Sequence, residues 1–144
     1  MAAAKDLKII EDQPPVKILG EHFDEIKKIK AYKGKFVVTD DGKLFAKLYP
    51  KKNWDKVEFF HDDLVGELGV KDAKSIDVKE VVTGGGKIEI ELINDYVECR
   101  LWGKSTVYGD YNPENIDVAA VETEIQEIFD LDETPILVIP DYEE

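Results

Sequence analysis

Between residues 87 and 102 the chain alternates apolar and charged side chains with a period of two, and it does so twice. Ile88, Ile90 and Leu92 fall on one side and Lys87, Glu89 and Glu91 on the other; Asn94-Asp95 then breaks the run, and Val97, Cys99 and Leu101 resume the apolar side. This spacing predicts an antiparallel hairpin of strands 87–93 and 96–102 joined by a tight turn, with one face buried.

A second hairpin is expected over 34–49. Lys35-Phe36-Val37-Val38-Thr39 and Lys43-Leu44-Phe45-Ala46-Lys47-Leu48-Tyr49 flank the turn residues Asp40-Asp41-Gly42, and Pro50 ends the second strand. Before it, Pro14-Pro15 favours an extended start, while Phe23, Ile26 and Ile29 fit a short helix or an irregular flank. Val57, Phe60, His61, Leu64 and Leu68 recur at helical spacing, with Gly69 as a C-terminal stop. Two arrangements satisfy that run: one helix passing through His61, or an extended 56–60 followed by a shorter helix, which would leave His61 beside the N–H groups of a helix start. Residues 76–83 read as a strand leading into Gly84-Gly85-Gly86. After a loop over 103–115, Ile116, Ala119, Ala120, Ile125, Ile128 and Phe129 predict an amphipathic helix with Asn115 or Asp117 near its cap. Residues 135–139 form a last apolar strand, and 141–144 a charged tail. Together these elements imply an α/β fold, a single-domain sandwich with a mixed β-sheet and two main helices packed on it. Residues 1–34 are expected to be a flank and 35–144 the domain proper.

At 144 residues, 43% of them hydrophobic, the chain can bury one core and is too short for two comfortable domains. No stretch approaches the roughly 18 apolar residues of a membrane span, and the start lacks the apolar run of a secretory signal, so a cytoplasmic protein is expected. Cys99 is the single cysteine, which excludes an internal disulfide and a cysteine-based zinc site and leaves apolar packing to hold the fold. With 32 acidic against 19 basic residues the net charge is −13. That charge repels nucleic acid and anionic membranes, and it means that a phosphate site would need local basic residues or backbone N–H groups to reverse the field.

Three segments carry candidate chemistry. Glu58-Phe59-Phe60-His61-Asp62-Asp63-Leu64 places a histidine after an aromatic pair, Gly84-Gly85-Gly86-Lys87 a basic residue after three glycines, and Gly103-Lys104-Ser105-Thr106-Val107-Tyr108-Gly109 a serine in a glycine-bounded loop. Taken singly, His61 suits a partly buried core histidine, the glycines suit a turn between two strands, and Ser105 suits a local turn residue. In this order, and over roughly residues 43–139, the segments resemble the phosphohistidine phosphatase (Janus/Ocnus) family. Its pattern is an aromatic residue before a catalytic histidine, Gly-Gly-Gly before a basic residue, and a Gly-x-Ser-x-x-Tyr-Gly loop.

The resemblance implies a phosphohistidine phosphatase, with phospholysine as a further substrate, acting on a phosphorylated protein or peptide without a cofactor or metal, and as a monomer. His61 would be nucleophile or general base, and a neutral imidazole suits both roles. Phosphate would be bound by Lys87, where relatives usually carry arginine, so that a point charge replaces a bidentate fork. Ser105, with the backbone at Thr106 and Val107, would face the developing charge. A further lysine on the strand before the histidine would be Lys43 or Lys47. Asp62 stands where relatives tend to have a small residue whose N–H meets phosphate; its carboxylate would either repel a dianion or polarise His61. The alternative function is a non-catalytic phosphate- or protein-binding regulatory domain of the same fold.

Overall fold

The computed structural model describes residues 4–70 and 73–143. Strands β1 (Val16–Leu19), β2 (Ala31–Thr39), β3 (Leu44–Pro50), β4 (Val82–Ile93), β5 (Tyr96–Trp102) and β6 (Ile136–Ile139) form one sheet in the order β1-β3-β2-β4-β5-β6. The inner pairings are antiparallel, and the two outer strands run parallel to their neighbours. Helices α1 (Ala4–Glu11), α2 (Ile26–Ile29), α3 (His61–Glu67), α4 (Ile76–Val81) and α5 (Val118–Ile128) lie around it. The expected α/β architecture on a mixed sheet is therefore the observed one.

Alternation decides what each face buries. Tyr32, Phe36, Leu44, Ala46, Leu48, Ile88, Ile90, Val97, Cys99 and Leu101 point to one side, where Val121 and Ile125 of α5 close the larger core. Asp117 caps α5 through its carboxylate, which accepts from the Ala120 N–H at 3.1 Å. Residues 16–19 and 26–29, read from the sequence as flank, put Val16, Ile18 and Ile26 into this same core. The opposite face is divided. Val37 and Phe45 lie under α3, α4 and α1, against Leu64, Val65, Val78 and Ile10. Beyond that cover the face carries charge: Arg100, only 9% exposed, pairs with Glu89, with Glu91 at 2.9 Å and with Glu98 at 3.1 Å.

One expected element is corrected. Residues 76–81 are helical, because Ser75 caps them by accepting from the Val78 N–H at 3.3 Å and Asp77 places a negative charge in the first turn. The β-branched residues Ile76, Val78, Val81 and Val82 suggest a strand, yet Ile76 is 74% exposed and Val78 buried, which is a helical face. The strand starts only at Val82 and carries the three glycines inside it rather than in a turn.

Candidate functional site

The short-helix alternative describes residues 54–68. Residues 51–56 close as a 3-10 turn, the chain is extended at Val57 and Phe60, and α3 starts at His61. The Phe60 N–H donates to the Asp63 carboxylate at 2.8 Å, which holds the entry to the helix.

His61 is thereby turned inward against β4 and is 7% exposed. Its Nε2 lies 2.9 Å from the Gly86 carbonyl. A carbonyl only accepts, so Nε2 carries the proton and Nδ1 the lone pair. Burial holds the imidazole pKa below 6.5; the Gly86 bond opposes that, Lys35 lowers it further and Asp62 raises it. The ring is consequently neutral at pH 7.

Gly85 is what allows this approach. A Cβ there would stand 2.6 Å from the Phe36 carbonyl, 3.0 Å from His61 Cδ2 and 3.3 Å from Ser105 Cβ. The absent side chain leaves a space that the histidine and the serine both border.

Ser105 is 2% exposed. Its backbone exchanges two hydrogen bonds with Gly109, at 3.1 and 2.8 Å, and the Gly109 carbonyl also accepts from the Gly85 N–H at 3.2 Å. Gly109, at φ 84°, supplies the left-handed turn that this closure needs. Within the loop, Ser105 Oγ accepts from the N–H groups of Val107 at 3.3 Å and Tyr108 at 3.0 Å. It serves the turn as an acceptor and keeps its own proton to donate. Thr106 and Val107 sit exposed at the tip.

Tyr108 ties the loop to the start of α3. Its hydroxyl lies 3.0 Å from Asp62 Oδ1 and 2.7 Å from the Ala73 carbonyl, and burial, with Asp62 beside it, raises its pKa. Lys74 stands 3.6 Å from the other Asp62 oxygen. The Asp62 carboxylate is thus engaged from two sides by partners other than the imidazole.

The lysines are sorted by register. Lys35 of β2 is paired with Lys87 on β4 and with Lys47 on β3. Since a Cβ on Gly85 would point at His61, residue 87 shares the histidine's side of the sheet by the period of two. Lys35 has its pKa lowered, first by burial and then by Lys87, with Asp63 opposing; its Nζ lies 5.2 Å from the centre of the Phe60 ring. Lys47 is bonded to Glu67 and sits 5.5 Å from both the Tyr49 and Phe59 rings. Lys43 stays at the hairpin turn, donating to the Glu11 carbonyl and 3.4 Å from Asp41. The lysine whose charge His61 feels is Lys35, and sequence reasoning missed it. Its signal was the Lys33-x-Lys35 alternation opposite Tyr32 and Phe36, which marks a polar strand face.

Phe60, Asp62, Asp63, Lys74, Thr106 and Val107 line a cleft of about 410 Å³ between the start of α3 and the serine loop. A larger cavity, about 620 Å³, lies along the β1–β3 side with Leu19, His22, Lys47, Tyr49 and Asn53 in its walls; neither His61 nor Ser105 lines this cavity or the cleft, whose walls hold their chain neighbours instead. Among the described residues no three His, Cys, Asp or Glu side chains are grouped so as to hold a metal ion, and no helix is long and apolar enough to cross a membrane. No protein-family model and no curated protein matches this chain.

Proposed function

We propose that this chain is a phosphohistidine phosphatase of the Janus/Ocnus type, hydrolysing the P–N bond of phosphorylated histidine and, by the same chemistry, of phosphorylated lysine. The observation that carries this reading is that a neutral buried imidazole and Ser105 border the same space at Gly85, with the charge of Lys35 reaching that imidazole. In an otherwise acidic chain, Lys35 and Lys87, cross-strand neighbours on the imidazole's side of the sheet, favour a phosphoryl dianion there.

The chemistry asks mainly for position and charge. A P–N bond to imidazole is labile, so in-line placement of the attacking atom and stabilisation of the phosphoryl oxygens supply most of the acceleration. In one route the His61 lone pair attacks phosphorus, the P–N bond to the substrate breaks and the leaving imidazole takes a proton; water then cleaves the new P–N bond to release phosphate. In the other, His61 takes a proton from water as the water oxygen attacks phosphorus; the P–N bond breaks and the leaving nitrogen takes up a proton, so that water is split between phosphate and the freed side chain. Both need a neutral imidazole, and burial keeps His61 in that form. Lys35 and Lys87 offset the dianion's charge, and Ser105 donates to a phosphoryl oxygen. The contacts of Asp62 with Tyr108 and Lys74 moderate its repulsion of the substrate.

The test is phosphate release from a chemically phosphorylated histidine peptide, wild type against His61→Gln, each checked for folding by circular dichroism. Turnover by wild type and its loss in the folded variant is the expected result. A folded wild type that releases no phosphate overturns the phosphatase reading and leaves a binding domain.

A further inference from the structure

The cleft beside His61 carries charge of both signs in its walls, Asp62 and Asp63 with Lys74. On the sheet side, outside those walls, Lys35 stands 5.2 Å from the Phe60 ring, with Lys87 as its cross-strand neighbour. The two consecutive carboxylates are differently employed. Asp62 is held by Tyr108 and Lys74, whereas Asp63 is exposed at the cleft wall and takes the Phe60 N–H on Oδ2.

The lips of the cleft are apolar. Phe60 is 64% exposed and Val107 38% exposed, and both line the cleft with Asp63. An exposed aromatic ring offers its face to a cation. An apolar lip ending in a carboxylate matches a long aliphatic stem ending in a cation, the shape of a lysine or arginine side chain. The Phe60 ring already lies within 5.2 Å of the Lys35 ammonium on one side, so its position suits cation–π contact. The net charge of −13 draws the same class of peptide toward the surface.

Resting on the phosphatase reading above, we propose that this cleft selects substrates in which the phosphorylated histidine has a lysine or arginine as a sequence neighbour, with Asp63 and the Phe60–Val107 lips as the determinants of that preference. The dianion goes to Lys35 and Lys87 beyond the Phe60 ring, and the neighbouring cation to Asp63 on the cleft wall.

The experiment measures kcat/KM for two phosphohistidine peptides that differ only in carrying lysine or glutamate on both sides of the phosphorylated residue, with free phosphohistidine as a third substrate. An exposed ion pair and a cation–π contact together favour the lysine peptide by about fivefold to tenfold in wild type. Asp63→Asn keeps an oxygen for the Phe60 N–H and removes the charge, and it should bring the ratio to within about twofold of unity, as should high salt. Phe60→Ala, which removes a side chain already exposed, should lower the ratio as well. Reading a ratio within each variant cancels any general loss of activity. A wild-type ratio of one or below, or a ratio unmoved by Asp63→Asn, overturns the proposal while turnover of free phosphohistidine leaves the phosphatase reading standing. Failure to hydrolyse all three substrates overturns both.

Discussion

Replacing Gly85 by alanine tests the claim that an absent side chain makes the site. The added Cβ would sit 2.6 Å from the Phe36 carbonyl, 3.0 Å from His61 Cδ2 and 3.3 Å from Ser105 Cβ. The first contact is with backbone in the centre of the sheet, where Val37 and Gly85 are paired, so it cannot be relieved by a side-chain rotation. Either β2 and β4 separate locally or the strand twists, and overpacking of this kind costs about 1–3 kcal/mol. For a chain of this size that is a fall in Tm of roughly 3–10 °C. Pushing the imidazole and the hydroxyl apart should also reduce phosphate release by about a hundredfold, the usual penalty for a misplacement near 1 Å. Gly66→Ala is the matched control: it lies inside α3, and its Cβ would meet nothing within 4 Å. That change should raise stability by about 0.5–1 kcal/mol through helix propensity. Calorimetry on the two variants reads both signs. A Gly85→Ala protein that melts with wild type and keeps its activity would refute the packing described here.

Other expectations follow from single groups. His61 has its folded pKa below the unfolded value of 6.5, so the unfolded chain binds the proton first. Stability is retained above pH 6.5 and lost as pH falls from 6.5 toward the folded pKa; denaturant melts of wild type should show this loss and those of His61→Gln should not. Lys35→Met should raise KM for a phosphohistidine peptide about tenfold or more, the loss of one charge-assisted contact, whereas Lys43→Met at the hairpin turn should leave it within twofold. Burial pushes the Cys99 thiol up to about 12, so a thiol reagent at pH 8 should modify native protein only as fast as it opens, and promptly once it is denatured. Rapid labelling of the folded chain would contradict the closed core around β5.

How much of this was legible from residues alone depended on whether the signal was local. The β4–β5 hairpin announces itself because Lys87 to Leu101 writes its two faces in alternation. The β2–β3 hairpin does so through Asp40-Asp41-Gly42, and the start of α5 through Asn115 or Asp117, of which Asp117 is the cap. Residues 76–81 misled because β-branched residues favour strands on average, while the Ser75 cap and the exposure of Ile76 depend on what packs alongside. His61, Ser105 and Lys87 stand out in the sequence through their motifs. Lys35 was not, because its place beside Lys87 is a matter of register between two strands fifty residues apart, and neither strand encodes it alone. The contacts of Asp62 likewise needed Tyr108 and Lys74 in space before its two alternatives could be weighed.

The two outer strands of the sheet, β1 and β6, are only four residues long and run parallel to the seven-residue strands they cover. A short edge offers an incoming strand few open N–H and C=O groups, so the sheet is protected against adding strands from other molecules. That protection hangs on one small segment at each end. Removing residues 1–20 would bare the full length of β3, with Leu44, Ala46 and Leu48 losing part of their cover, and would turn a blunt edge into a template for self-association.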